Sequence, residues 1–227
     1  MVTDTILAKA CLESYKEKIM PNLEGFECDI ITKGNDRCLI FYNEKDVVVV
    51  FTGSNDLEDW WTNVQFIKQE TLYGKIHNGF WEAWLDLRSL TRTALERVNA
   101  KDKNIYVTGH SLGGALACLF SVDSFYSAWI KRLVTFGQPR VGNWTWKGKF
   151  KTLMGPRECV RYINNQDTVT KIPSFFFFHV GRPVYFDKHG RKTIKKPWSW
   201  KFIIRKIKGI NDHSMRTYFQ LLDDHRL

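Results

Sequence analysis

Apolar positions along the chain fall into short blocks whose spacing changes from helical to extended and back. In residues 4–19, Ile6, Leu7, Ala10, Ser14 and Tyr15 mark one helical stripe,. Pro21 and Gly25 end it. CDIIT (28–32) and CLIFYN (38–43) follow, joined by KGND, whose turn residues suit a hairpin,. DVVVVFTG (46–53) is an unbroken β-branched run, the pattern of a central strand buried on both faces,. From His77 to about Val98, the residues Phe80, Trp84, Leu87, Thr91, Leu95 and Val98 share one face of a longer helix,. IYVTG (105–109) reads as a strand, 112–122 as an Ala- and Leu-rich helix, and LVTFG (133–137) and CVRYIN (159–164) as further strands. The last third carries FFFF (175–178), VGRPVYF (180–186), a basic stretch and a final helix within 213–222.

Strands alternating with helices predict an α/β chain with a mostly parallel central sheet and helices on both faces. A length of 227 residues suits one domain spanning 1–227,. No internal repeat is evident.

One motif in this frame carries chemistry. Gly109, His110, Ser111, Leu112 and Gly113 form G-x-S-x-G between an apolar strand and an Ala-rich helix. A sharp turn there exposes a serine hydroxyl on a strained backbone, as in the α/β-hydrolase fold, and glycines allow the strand and helix to approach. The helix begins at the serine, so its unpaired N–H groups, Leu112 first, face any developing oxyanion. A serine nucleophile needs a base and an acid that orients it, and in this fold they follow in the order acid, then histidine. His110 adjoins the serine and cannot readily face it. His179, His189, His213 and His225 lie downstream. Asp167 follows the strand CVRYIN in a loop, the end of a strand where site residues gather. His213 opens the last helix. Ser111, Asp167 and His213 are therefore the expected catalytic set, with His179 and His189 as other bases and Asp212 as a weaker acid.

Composition narrows the partners. The net charge of +10 favours anionic surfaces, and nothing but charge favours nucleic acid,. The five cysteines form no CxxC pair and no Cys/His cluster, so no metal site is expected, and a serine-based hydrolysis requires no cofactor,. An odd count of cysteines and an N-terminus without a leader-like apolar run point to a reducing interior, either the cytoplasm or the surface of an intracellular membrane.

The motifs DVVVVFTGSNDLEDWWTNV, IHNGFWEAW, VTGHSLGGALA, VTFGQPRVGN, VRYINNQDTVTKIP, HVGRPVYF and DHSMRTYF, in this order over roughly 35–220, resemble the class 3 lipases, the family of fungal triacylglycerol lipases. The resemblance implies the same set Ser111, Asp167 and His213. It also implies an oxyanion role for Ser54, beside Leu112, and a lid within 54–66. Gly79, Phe80, Gly137, Pro139 and Arg140 look like scaffold residues near the site. Thr52 stands where the family usually has arginine, which removes one supporting ion pair. The expected substrate is an acylglycerol; a phospholipid or a soluble carboxylic or aryl ester is the alternative. Lipid binding without catalysis is a remote one.

Two surfaces are expected to meet lipid. Leu57, Trp60 and Trp61 in the lid and Phe175, Phe176, Phe177 and Phe178 would line the acyl site or its rim. Residues 188–208 hold nine basic side chains, no acidic one and interleaved aromatics. Lys192, Lys195, Lys196, Trp198, Trp200 and Lys201 would form a patch for an anionic membrane. An edge strand solvated by lysines explains the same pattern.

Overall fold

Four successive valines set the centre of the sheet. In strand β3 (Asp46–Phe51), Val47, Val49 and Phe51 enter one core while Val48 and Val50 enter the other. Side chains alternate across a strand, so a strand covered on both faces must be apolar throughout. The computed structural model describes residues 1–16, 20–53, 67–165, 167–173, 176–194 and 212–224.

Strands β1 (Glu27–Lys33) and β2 (Asp36–Tyr42) form the expected hairpin, closed by Gly34 at φ +58°. A separate two-stranded hairpin comprises β4 (Lys68–Thr71) and β5 (Gly74–His77). The remaining strands are β6 (Asn104–His110), β7 (Ile130–Phe136), β8 (Glu158–Asn164), β9 (Arg182–Phe186) and β10 (Lys192–Thr193). The main sheet has eight strands in the order β1-β2-β3-β6-β7-β8-β9-β10. Its centre, β3 through β9, is parallel, and the flanking pairs are antiparallel.

Helices α2 (Asn78–Arg97), α3 (Leu112–Asp123) and α4 (Trp144–Met154) cover one face. Helices α1 (Asp4–Ser14) and α5 (Met215–Asp223) cover the other and pack on each other. This is the α/β-hydrolase architecture. Strands β6, β7 and β8 all end along one edge of the sheet, which brings residues 111, 137, 165 and 167 together.

Three features differ from the sequence expectation. Helix α1 ends at Ser14, with Tyr15 as its C-cap, rather than running to 19. Its buried side also includes Thr5, Ala8, Cys11 and Glu13, because it is wedged between the sheet and α5. Helix α4 had no counterpart in the pattern.

Candidate active site

Strand β6 ends at His110, α3 starts at Leu112, and Ser111 alone makes the turn, at φ +58° and ψ −127°. A non-glycine residue in that region is strained by about 1–3 kcal/mol. The surroundings hold it there. The Ser111 amide donates to the Phe136 carbonyl at 3.0 Å, and the Gly114 amide donates to the Ser111 carbonyl at 2.9 Å. A Cβ on Gly109 would strike the Gly113 backbone, and one on Gly113 would strike the Phe51 carbonyl. Both glycines are thus required for β6, β3 and α3 to converge.

Asp167 lies in the loop after β8 and is fully buried. Three donors converge on its carboxylate. His213 Nδ1 lies 2.8 Å from Oδ2, the Tyr218 hydroxyl donates to the same oxygen at 2.6 Å, and the Val169 amide donates to Oδ1 at 2.9 Å. The Asn164 amide donates in turn to the Tyr218 hydroxyl at 2.8 Å. Burial, then the charge of Asp167, push the Tyr218 phenol well above its ordinary range. A carboxylate only accepts, so His213 carries its proton on Nδ1 and presents a bare Nε2. Ser111 Oγ and His213 Nε2 are both buried, and neither has a hydrogen-bond partner among the described residues. These are the two atoms that a nucleophile and its base must leave open to each other and to substrate.

The turn bearing His213 is held by two further bonds. Asn164 Nδ2 donates to the Asp212 carbonyl at 2.8 Å, and His110 Nε2 lies 2.6 Å from the His213 carbonyl. The His110 ring stacks on the His213 ring at 4.5 Å. Burial, then the neighbouring His213, hold the His110 pKa well below 6.5. Gly137, at φ +57°, sits directly over the His–Asp contact. A Cβ there would lie 2.8 Å from His213 Nδ1 and 2.9 Å from Asp167 Oδ2.

The other candidates are placed differently. The Asp212 carboxylate accepts from Asn165 Nδ2 at 3.1 Å. His179 Nε2 donates to the Thr170 carbonyl at 2.7 Å. His189 lies in the exposed turn before β10, where its amide donates to Asp187. Leu112 is the first residue of α3 and buried. Ser54, Leu57, Trp60, Trp61, Phe175, Lys195, Lys196, Trp198, Trp200, Lys201 and His225 lie outside the described residues. Thr52 Oγ1 donates to the Ser14 carbonyl at 3.5 Å, a contact to α1 where an ion pair was expected to be lost.

The aromatic run splits by position. Phe176 is 74% exposed, Phe177 is buried against His77, and Phe178 meets Trp144 edge-on at 5.3 Å. Lys68 lies over Phe176 and Phe177, and Lys147 over Trp144 and Phe178. Lys192 is exposed on edge strand β10. All five cysteines are free thiols. Among the described residues, no group of His, Cys, Asp and Glu is suited to a metal, and no helix is long and apolar enough to cross a membrane.

Sequence reasoning missed Tyr218 and the contacts of His110. No spacing rule links a tyrosine in α5 to an aspartate 51 positions earlier.

Comparison with known proteins agrees with this fold. A lipase from Rhizomucor miehei is 29% identical over 165 residues, covering 67% of this chain and 45% of that protein. A secreted mono- and diacylglycerol lipase of Fusarium solani is 31% identical over 138 residues, covering 59% and 41%. The chain thus spans less than half the length of these two curated relatives. Among solved structures, the Rhizomucor miehei lipase propeptide complex superposes with a TM-score of 0.71 at 20% identity, covering 83% of this chain and 68% of that one. The family model described as Lipase (class 3) matches residues 48–177. On that match the chain belongs to the class 3 lipase family.

Proposed function

We propose that this chain hydrolyses carboxylic esters of lipids, acylglycerols first among them, through an acyl-enzyme on Ser111. The observation that carries this reading is the buried contact of His213 Nδ1 with Asp167 Oδ2, with His213 Nε2 and the hydroxyl of the strained Ser111 both without a partner among the described residues. His213 Nε2 removes the Ser111 proton as Oγ attacks the ester carbonyl. Asp167 fixes the tautomer and stabilises the imidazolium that forms. The Leu112 amide and Ser54 hold the oxyanion. His213 then protonates the leaving alcohol, and water repeats the sequence on the acyl-enzyme.

Residues 1–227 act as a single domain in this reading. Residues 54–66 serve as lid in this reading, with Leu57, Trp60 and Trp61 as its lipid-contacting residues. Exposed Phe176 and the lysine-flanked rings of Phe178 and Trp144 support an aromatic rim. Basic residues of 188–208 would hold the enzyme peripherally on an anionic membrane, Lys192 among them. A fluorophosphonate should label the wild type and leave Ser111→Ala unlabelled. The rate ordering among emulsified triacylglycerol, phospholipid and short soluble ester then assigns the substrate class. Equal labelling of Ser111→Ala, or labelling that survives His213→Ala, would refute the assignment. Ser54→Ala should lower kcat by about 10²–10³-fold with KM little changed.

A further inference from the structure

Tyr15 and His110 link three segments that the proposed reaction needs. The Tyr15 hydroxyl packs directly on Gly53 at the end of β3. That hydroxyl lies 2.7 Å from His110 Nδ1, and His110 Nε2 lies 2.6 Å from the His213 carbonyl. The proton positions follow from the partners. A carbonyl only accepts, so His110 carries a proton on Nε2. Burial keeps the ring neutral, which leaves Nδ1 bare, and Tyr15 must be the donor to it. The path therefore runs Tyr15 O–H to His110 and His110 N–H to the backbone of His213, with Gly53 packed on the Tyr15 hydroxyl.

The fit leaves no slack. A Cβ on Gly53 would strike the Tyr15 hydroxyl and lie 2.7 Å from the His110 carbonyl. At the other end, the His110 and His213 rings are 4.5 Å apart and tilted by 32°. Gly53 immediately precedes Ser54. One end of the path thus packs on Gly53 and the other holds the turn of His213. Tyr15 itself lies outside the segment 48–177 that matches the family model.

We propose that Tyr15 and His110 are positioning residues, which tie the turn of His213 to α1 and to Gly53 at the end of β3 so that the base keeps its place beside Asp167. The role rests on the hydrolase reading above. A base carried on a turn must hold its place before the transition state forms, and a 1 Å error is costly.

The test uses Tyr15→Phe, His110→Gln and the double variant in the full chain, on a water-soluble ester. Phenylalanine keeps the ring and removes only the hydroxyl. Glutamine keeps an N–H near the place of Nε2 and loses the acceptor at Nδ1. Each is assayed well below its own Tm, so that unfolding is not read as lost rate. Each single change should lower kcat by about 10–100-fold, with KM within about twofold. The double variant should be no slower than the worse single one, because both break the same path. Wild-type kcat in Tyr15→Phe, multiplicative losses in the double variant, or a loss expressed in KM would overturn the proposal. Side-chain nitrogen NMR reads the geometry apart from turnover. At pH 7 the wild type should show His110 protonated on Nε2 alone, and Tyr15→Phe should shift its Nδ1 signal. A proton on Nδ1 overturns the path even in an active enzyme. A wild type that forms no fluorophosphonate adduct overturns the hydrolase reading, and the positioning role falls with it even if the NMR result holds.

Discussion

Tyr218→Phe separates holding Asp167 from catalysing with it. The change leaves the ring in the core with Met215 and Leu222 and deletes one hydroxyl. Two bonds go with it, the 2.6 Å donation to Asp167 Oδ2 and the 2.8 Å donation from the Asn164 amide. A bond to a buried charged acceptor contributes about 1.5–3 kcal/mol, and a buried amide left unpaired costs about 1–3 kcal/mol. The two losses share one atom and are not fully additive, so the expected destabilisation is about 3 kcal/mol. In a chain of this length that corresponds to a fall in Tm of about 6–12 °C. Turnover should respond much less. His213 Nδ1 and the Val169 amide still anchor the carboxylate, and Oδ2 is no longer shared with a second donor. Below the new Tm, kcat on a soluble ester should stay within about tenfold of wild type. Thermal unfolding followed by circular dichroism, beside steady-state kinetics, measures both quantities. A variant with unchanged Tm and a kcat as low as that of Asp167→Asn would refute the reasoning and place Tyr218 in the chemistry itself.

Asp167→Asn must turn an amide NH₂ toward His213 and Tyr218 or toward the Val169 amide, donors all; kcat should fall by about 10⁴-fold, as for a wrong histidine tautomer, and near-normal turnover would remove Asp167 from the triad. Gly137→Ala puts a methyl group at a left-handed position against His213 and Asp167; kcat should drop by about 10²-fold, and a wild-type rate would show that the pair has room to move. Stability should fall on acidification below pH 6.5, where His110 and His179 of the unfolded chain take up protons that their buried native forms refuse. The lowered native pKa values give this sign: the contribution is complete above 6.5 and is lost as pH falls, by up to about 1.4 kcal/mol per pH unit for each ring. Urea unfolding between pH 7 and 5 should therefore be less pH-dependent for His110→Gln than for wild type, and equal slopes would refute the buried-neutral assignment.

What was readable in the chain is what depends on neighbours in sequence. The run Val47–Val50 needs both faces covered to be stable, so it specifies a central strand by itself,. The Gly109–Gly113 pattern specifies the elbow, because only glycine fits where β6, β3 and α3 converge. Helix α4 escaped notice for a related reason. It buries only Trp146, Phe150 and Met154, each four residues apart, and the rest is lysine-rich around Gly148. A stripe one residue wide gives little periodic signal. Helix α1 was overextended because the apolar pattern does not record where its last turn is needed. That end is set by Thr52 donating to the Ser14 carbonyl and by Tyr15 turning in toward Gly53.

The pairing of Asp167 with His213 was within reach of chain order, since the fold presents its strand ends along one edge. The residues that aim them were not. Tyr218 reaches Asp167 across 51 positions, and His110 reaches the backbone of His213 across 103. Neither contact requires a motif, because a phenol or an imidazole serves wherever packing brings it within reach. His110 shows the difference most sharply. Adjacency to Ser111 argued against its serving as the base, while side chains along β6 alternate between the two faces of the sheet. The same alternation sends its ring into the layer of α1 and α5, where the turn bearing His213 passes. The sequence argument that excluded His110 from one role thus contained the geometry of the other, but only the placement of α1 and α5 could supply its partners.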